Sequence, residues 1–400
     1  MTKEKFTLVI DGNYLFFRTL FVLPGMSSQK LGTDKEVGIY VRKLATDFAS
    51  EIRKFDPIID KIVMTIDSKS WRKDFYPEAD YKGNRKTDDS INWENFKKST
   101  DEFKNSLESQ GVTIHKVDGA EGDDLIYAWS TASNIEGKSV IIFTGDKDLI
   151  QLVSRNDATE ASTIFYSGTH KRLCVPHGFW EWLEKKEEVD LFDMNTVSSN
   201  KVKAEFYNLI NRNNLVVDEI DPGLFLLRKV LMGDAGDNIR PVYWYTSKGN
   251  SGKSRTYGVS EKKADKVIEE FQRKFSTFKK SYLFDDGYQR ELCNIIVKEL
   301  KADKMPYDTI LQNLKNNANL ISLTSQAIPD SIHSAMFEKV SEVLEGRTDF
   351  TNLRKMENLL SDSKFSKDSS MTHSIFSDNK EDEDFSFIKK TTSKGPSKTF

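Results

Sequence analysis

Nine carboxylates in this 400-residue chain stand where chemistry can be done. Asp11 closes the apolar run "FTLVID", Asp67 closes "KIVMTID", and Asp146 closes "SVIIFTGD", with Asp148 two residues on. "AEGDDLIYA" adds Glu121, Asp123 and Asp124, and "VLMGDAGDNIRPV" adds Asp234 and Asp237. Each group alone has a plain structural reading. An Asp after a strand caps a helix or fills a turn, "EGDD" is a favourable helix start, and "GDAGD" can simply end the apolar helix before it. Parallel strands, however, deliver their last residues to one crevice. Five acidic groups converging there are hard to attribute to turns alone.

Close carboxylates repel one another unless cations neutralise them. An oxygen-only donor set selects Mg²⁺ or Mn²⁺ over zinc or copper. The five histidines are scattered, and Cys174 and Cys293 are far apart without CxxC spacing, so neither a zinc site nor a disulfide framework is expected. Seven to nine carboxylates suggest two Mg²⁺ ions, with Mn²⁺ able to substitute. Two such ions about 4 Å apart serve phosphodiester hydrolysis, one activating water and the other stabilising the leaving oxygen. "GNSGKS" is not a phosphate-binding GxxxxGK[ST] loop, because position 247 is Ser and no buried strand precedes it.

The elements that must position these groups follow from periodicity. Residues 6–11, 61–67, 111–117 and 139–146 are short, continuous apolar runs, as expected of parallel strands buried on both faces. Between them, 38–55 repeats apolar residues with the period of a helix. The alternation predicts an α/β layer over residues 1–195. Residues 69–104 interrupt it with nine basic and eight acidic residues and dispersed aromatics, and are expected to project from the sheet as helices. From 196 to 345 strand signals fade. "DPGLFLLRKVLMG" (221–233), "SEKKADKVIEEFQRKF" (260–275) and "YQRELCNIIVKEL" (288–300) predict a second, helical domain. The Ser-rich stretch from about 360 to 400 is expected to be disordered.

Composition bounds the class. The chain is 38% hydrophobic and 30% charged, and no apolar run approaches the roughly 18 residues of a membrane span. The first apolar run is about five residues and ends in Asp, too short for a secretory signal core, so a cytoplasmic location is expected. The net charge of −3 hides an excess of +7 between Arg240 and Lys280, with eleven basic and four acidic residues. A local basic surface on a neutral chain suits a polyanionic partner.

"LVIDGNYLFFR", "TIDSKSWRKDFYPEADYKGNRK", "AEGDDLIYAW", "IFTGDKDLIQL" and "LMGDAGDNI" resemble, in this order, the structure-specific 5′-nucleases, the flap endonuclease and polymerase-associated 5′–3′ exonuclease family. Within it, "DSKSWR" and the long interruption after "GDAGDN" are most similar to the ribonuclease H group of T-even bacteriophages. The resemblance implies a PIN-like (resolvase-like) parallel sheet flanked by helices, a helical arch or clamp at about 69–104, and a C-terminal helix–loop–helix DNA-binding domain. It implies that Asp11, Asp67, Glu121, Asp123, Asp124 and Asp146 surround a first metal and Asp148, Asp234 and Asp237 a second. Lys82 and Arg85 of "YKGNRK" would stabilise charge on the scissile phosphate. The family's short "GVxGIG" hairpin is replaced here by a basic, aromatic insertion over about 240–263. Phosphate contact there would fall to Lys248, Lys253, Arg255, Lys262 and Lys263.

The expected activity is Mg²⁺-dependent 5′–3′ exonuclease and flap endonuclease hydrolysis, removing RNA primers and adjacent DNA from lagging-strand fragments. The expected partners are branched or nicked DNA and RNA–DNA hybrid, with a sliding clamp or single-strand DNA-binding protein as a family expectation, and the chain is expected to act as a monomer. Two alternatives compete: a non-catalytic branched-DNA-binding replication factor, and a PIN-type single-strand ribonuclease.

Overall fold

The apolar runs read as strands pair with one another in parallel. In the computed structural model, which describes residues 5–23, 28–56, 58–181, 183, 199–248, 254–344 and 348, they are β1 (Phe6–Asp11), β2 (Ile59–Thr65), β3 (Thr113–His115) and β4 (Val140–Phe143). Asp11 lies opposite Thr65, and Ile10 opposite Phe143. All six residues of β1 are buried, as a strand covered on both faces requires. Lys253 and the tail from 360 to 400 lie outside the described residues.

Among the described residues the sheet has eight strands in the order β3-β2-β1-β4-β6-β7-β8, with β5 (Ser154–Asn156) paired to β6. β6 (Ala161–Ser167) is parallel to β4, β7 (Arg172–Pro176) runs antiparallel to β6, and β8 (Val216–Ile220) is parallel to β7. These later strands were not foreseen. β8 lies beyond residue 196, where strand signals fade, because "VVDEI" is short and half polar, as an edge strand should be. A buried ion pair between Arg172 and Asp218, at 2.6 Å, ties β7 to it. The strand order turns back between β1 and β4, which makes the carboxyl ends of those two strands the crevice of the sheet.

Helices cover both faces. One carries α1 (Gly12–Val22), α2 (Asp34–Phe55), α4 (Trp93–Glu108) and α6 (Ser199–Asn213) over a core containing Leu8, Phe48, Phe103 and Phe206. The other carries α5 (Gly122–Ile135) and α11 (Asp330–Val343) over Val9, Trp129, Ile142 and Met336. A third core joins α7 (Pro222–Met232), α8 (Glu261–Phe275), α9 (Asp286–Leu300) and α10 (Tyr307–Ile321) through Leu227, Val267, Ile296 and Leu314. Between α7 and α8 stands an antiparallel ribbon, β9 (Tyr245–Lys248) and β10 (Ser254–Tyr257). No helix among the described residues is long and apolar enough to cross a membrane.

The interruption at 69–104 does form helices, α3 (Trp71–Phe75) and α4, but much of it is packed rather than projecting. Trp71 and Phe103 are each 2% exposed, and α4 lays Ser99, Thr100, Phe103 and Leu107 inward. Trp71, Tyr81 and Phe103 are its core anchors, while Phe75 and Trp93 stay exposed.

Candidate active site

Each acidic residue is delivered by a local rule. Asp11 ends β1 and caps α1, accepting from the Tyr14 amide at 2.9 Å and from Thr144 Oγ1 at 2.8 Å. Gly12 is required beside it, because a Cβ there would lie 2.7 Å from the Thr65 carbonyl oxygen. Asp67 follows β2 and accepts from the Gly122 amide at 2.6 Å and from Asn13. Asp146 follows β4 and caps the 3-10 turn Lys147–Leu152, accepting from the Asp148 amide at 2.9 Å. Thr144 joins two strand ends: its hydroxyl donates to Asp11 and accepts from the Asp146 amide at 3.0 Å. Asp123 opens α5 and receives no hydrogen bond from the described residues.

Their electrostatics divide them. Burial, then the nearby Asp67 and Asp146, push Asp11 up to about 7 against its amide and hydroxyl donors. Burial and the charges of Asp146, Asp11 and Asp67 push Asp123 well above the usual carboxylate range. Asp67 and Asp146 rise too, first through burial. Burial and mutual repulsion thus favour the protonated forms of these four carboxyls while no cation is bound. Glu121 is the opposite case: Arg72 and Lys82 overcome its burial and hold it down at about 2.

The remaining acids have basic partners. Lys229, on the last turn of α7, lies 2.9 Å from Asp148 and 2.6 Å from Asp234. Burial and Asp146 nevertheless raise Asp148 to about 7, while Lys229 holds Asp234 below its ordinary value despite burial. Asp237 takes Arg85 at 2.5 Å, Tyr81 Oη at 3.0 Å and, at 3.9 Å, Lys82, which also pairs with Glu121. The turn carrying Lys82 docks on the "GDAGDN" loop by backbone as well. The Lys82 amide donates to the Asp237 carbonyl at 2.9 Å, Asn84 to Ala235 O at 2.9 Å, and Asn238 to Asp80 O at 3.0 Å. Both Asp80 and Lys82 adopt positive φ to make this turn.

Asp124 differs from the other acids in how completely the fold engages it. It is wholly buried and its oxygens are taken: Arg72 grips both, at 2.9 and 3.1 Å, and Trp71 Nε1 and the Glu121 amide donate at 3.1 and 3.0 Å. An ion at Asp124 would have to compete with these donors. Asp124 anchors Arg72, which also reaches Glu121 at 2.9 Å and the Leu320 carbonyl at 2.9 Å. Lys248, Arg255 and Lys262 are exposed on the ribbon and the first turn of α8, while Lys263 is half-buried and donates to the Gly258 carbonyl at 3.2 Å.

Residue types alone did not single out Arg72, Tyr81, Lys229 or Thr144. Lys229 could have been found, since it precedes Asp234 by five residues on a helix whose end is marked by Gly233. Thr144 could have been noticed as a hydroxyl two residues before Asp146. Nothing local marks Arg72, whose partners come from α5 and the end of α10.

Among the described residues, no group of three histidine, cysteine or carboxylate side chains is arranged to hold an ion directly. The donor set still fits a hard divalent cation. It is oxygen only, it gathers the mutually repelling Asp11, Asp67, Asp123 and Asp146, and Asp123 accepts no hydrogen bond from the described residues. Mg²⁺ keeps several waters, through which such carboxylates act.

Residues 6–179 match the model of the 5′–3′ exonuclease N-terminal, resolvase-like domain. It is 33% identical over 152 residues to DNA polymerase I of Mycobacterium leprae, covering 38% of this chain and 16% of that protein. It is 31% identical over 149 residues to the 5′–3′ exonuclease of Aquifex aeolicus, covering 37% of this chain and 48% of that one. The chain thus spans less than half the length of these curated relatives. Its fold is similar to the flap endonuclease of bacteriophage T5, solved with DNA and metal ions, at a TM-score of 0.50 and 16% identity over 86% of this chain and all of that one. At that identity the likeness is one of fold.

Proposed function

We propose that the protein is a Mg²⁺-dependent 5′-nuclease that removes RNA primers and adjacent DNA from 5′ ends at nicks, flaps and RNA–DNA hybrids. The observation that carries this reading is the group Asp11, Asp67, Asp123 and Asp146. These four mutually repelling carboxylates stand at the strand ends and helix start bordering the crevice, beside Lys82.

On this reading Asp11, Asp67, Asp123 and Asp146, with Glu121 behind them, hold one ion. Asp148, Asp234 and Asp237 hold a second, and many of these contacts run through water. Bound Mg²⁺ would supply a nucleophilic hydroxide at neutral pH and neutralise charge on the leaving oxygen. The protein's own groups do the rest. Lys82 and Arg85 leave their carboxylates for the scissile phosphate. Lys229 keeps Asp148 and Asp234 together, and Thr144 fixes the spacing between Asp11 and Asp146. Lys248, Lys253, Arg255, Lys262 and Lys263 hold duplex backbone without reading sequence. Replication of a phage-type genome, with a sliding clamp or single-strand DNA-binding protein as partner and the enzyme as a monomer, is the setting in which such a primer-removing activity is used.

The test is incubation with end-labelled RNA-primed nicked duplex, 5′-flap and plain single strand, with Mg²⁺ and with chelator. The expected result is metal-dependent release of 5′-phosphorylated products from the first two. Cutting that survives chelation, or no cutting of any 5′ substrate, overturns the assignment.

A further inference from the structure

An exposed aromatic patch lies where α1 meets α4, outside the acidic crevice. Tyr40, fully buried on α2, stacks on Phe96, with ring centres 6.0 Å and planes 30° apart. Phe96 stacks on Phe17 at 5.1 Å and 22°, and Phe17 on Phe21 at 6.2 Å and 18°. Four rings therefore form a column from the core to the surface. Phe21, at its outer end, is 56% exposed, and Trp93, whose ring edges against Phe17 and Phe96, is 39% exposed. The column spends aromatic surface on water, which a packing role alone does not explain.

Topology puts the Trp93 side of this patch at the catalytic end of the molecule, with Phe21 further off along α1. α4 leads into β3, which runs parallel to β2 and hence to β1, so the start of α4 lies toward the carboxyl ends of those strands. Asp11 and Asp67 stand at the same end. Trp93 also stands eight residues after Arg85 in the chain, beyond the turn that carries Lys82.

The charge around the rings is mixed. Lys30 Nζ sits 5.6 Å from the centre of the Phe21 ring and donates to Ser90 Oγ at 3.0 Å. Lys97 and Lys98 are exposed on the next turn of α4, while Asp88, Asp89 and Glu94 stand on the same segment. The rings would therefore carry the recognition, with Lys30 assisting. An apolar protein segment covering Phe21 would strand the Lys30 ammonium away from water. A nucleotide would not, because its base continues the column and its phosphate meets the ammonium.

We propose that the Tyr40–Phe96–Phe17–Phe21 column, with Trp93, is a stacking platform for unpaired bases of the single strand that carries the substrate's 5′ end. The proposal rests on the nuclease reading for its substrate. Every base has a π face, so the platform would accept any sequence.

The test uses the full chain in chelator, so that binding is read without cleavage. Affinities are measured for a nicked duplex and for the same duplex bearing an oligodeoxythymidine 5′ flap. The Phe21→Ser/Trp93→Ser double variant should lose roughly tenfold or more in affinity for the flapped duplex, with nicked-duplex affinity and thermal unfolding unchanged. Free oligodeoxythymidine should quench tryptophan fluorescence in the wild type and do so less in Trp93→Phe. Unchanged flap affinity, equal loss on both duplexes, or quenching indifferent to Trp93→Phe overturns the platform and leaves a protein as the patch's partner. A wild type that binds neither duplex overturns the nuclease reading instead, and the quenching by free oligodeoxythymidine still decides the platform.

Discussion

Arg72 shows how a single side chain can organise a site without entering it. Its guanidinium is 3% exposed yet fully paired, with Asp124, Glu121 and the Leu320 carbonyl around it. Breaking a buried pair from one side leaves an uncompensated charge. Asp124→Asn should therefore cost roughly 3 kcal/mol in urea unfolding, and the Mg²⁺ concentration for half-maximal activity should stay near wild type. A large shift in that concentration at unchanged stability would return Asp124 to the metal ligands. Asp146→Asn should do the reverse, cutting cleavage by roughly 100-fold or more while DNA affinity, measured in chelator, persists.

Asp11 and Asp148, both raised to about 7, give a pH signature. The folded metal-free state holds their protons more tightly than the unfolded chain does. Their contribution to stability is thus complete below the unfolded value near 4 and is lost as pH rises toward 7. Glu121, held at about 2, contributes in the other direction, and its share is lost as pH falls below about 4. Thermal unfolding in chelator should show a midpoint falling by several degrees between about pH 4 and 7, and saturating Mg²⁺ should flatten that slope. A midpoint insensitive to Mg²⁺ across this range would contradict the picture. At this scale the sequence was most legible where acids sit at strand ends. It did not reveal the pairing of Asp124, because "EGDD" does not say which of its carboxylates meets a buried arginine from 52 residues away.

Elements decide where those residues meet. The four parallel strands were legible as continuous apolar runs, and α7 as a helix begun by Asp221-Pro222 and ended by Gly233. The extension β6–β8 was not: β8 is a half-polar edge strand, and β6 and β7 mix Ser, Thr and Arg into runs of five to seven residues, although both are buried. The polar 69–104 stretch misled for a related reason: its buried rings are too far apart in sequence to form a pattern. Gly233 is the element whose replacement is most diagnostic. Its φ is +69°, and a Cβ would lie 2.5 Å from backbone atoms of Ile239 and Arg240. Gly233→Ala must open the 234–239 loop, which holds itself by reciprocal Asp234–Ile239 backbone bonds at 2.8 and 2.7 Å. The expected outcome is a destabilisation of about 1–3 kcal/mol and a loss of cleavage larger than that stability change explains, read by comparing activity with the folded fraction.

Across the whole molecule, charge is arranged in two regions of opposite sign. The acidic crevice stands between the sheet and the α7 loop, and the basic ribbon and α8 follow that loop directly. Affinity for nicked duplex should fall steeply with salt, and replacing Lys248 and Arg255 with Ala should lower the slope of log affinity against log salt by roughly one to two. An unchanged slope would remove the ribbon from the contact surface. This division was visible in the sequence as the excess between Arg240 and Lys280. The grip of the Lys82 turn on the "GDAGDN" loop was not, because it joins residues more than 150 positions apart.

That grip has a consequence for the life of the protein. Lys82, Arg85 and Lys229 neutralise from within the part of the site that cations would otherwise have to neutralise from without. Small metal-dependent domains cannot fold until their ion arrives; here the internal counter-ions lower the acidic repulsion that folding has to overcome. On the proposed reading, an arriving cation would exchange partners within a site already folded rather than start a folding event.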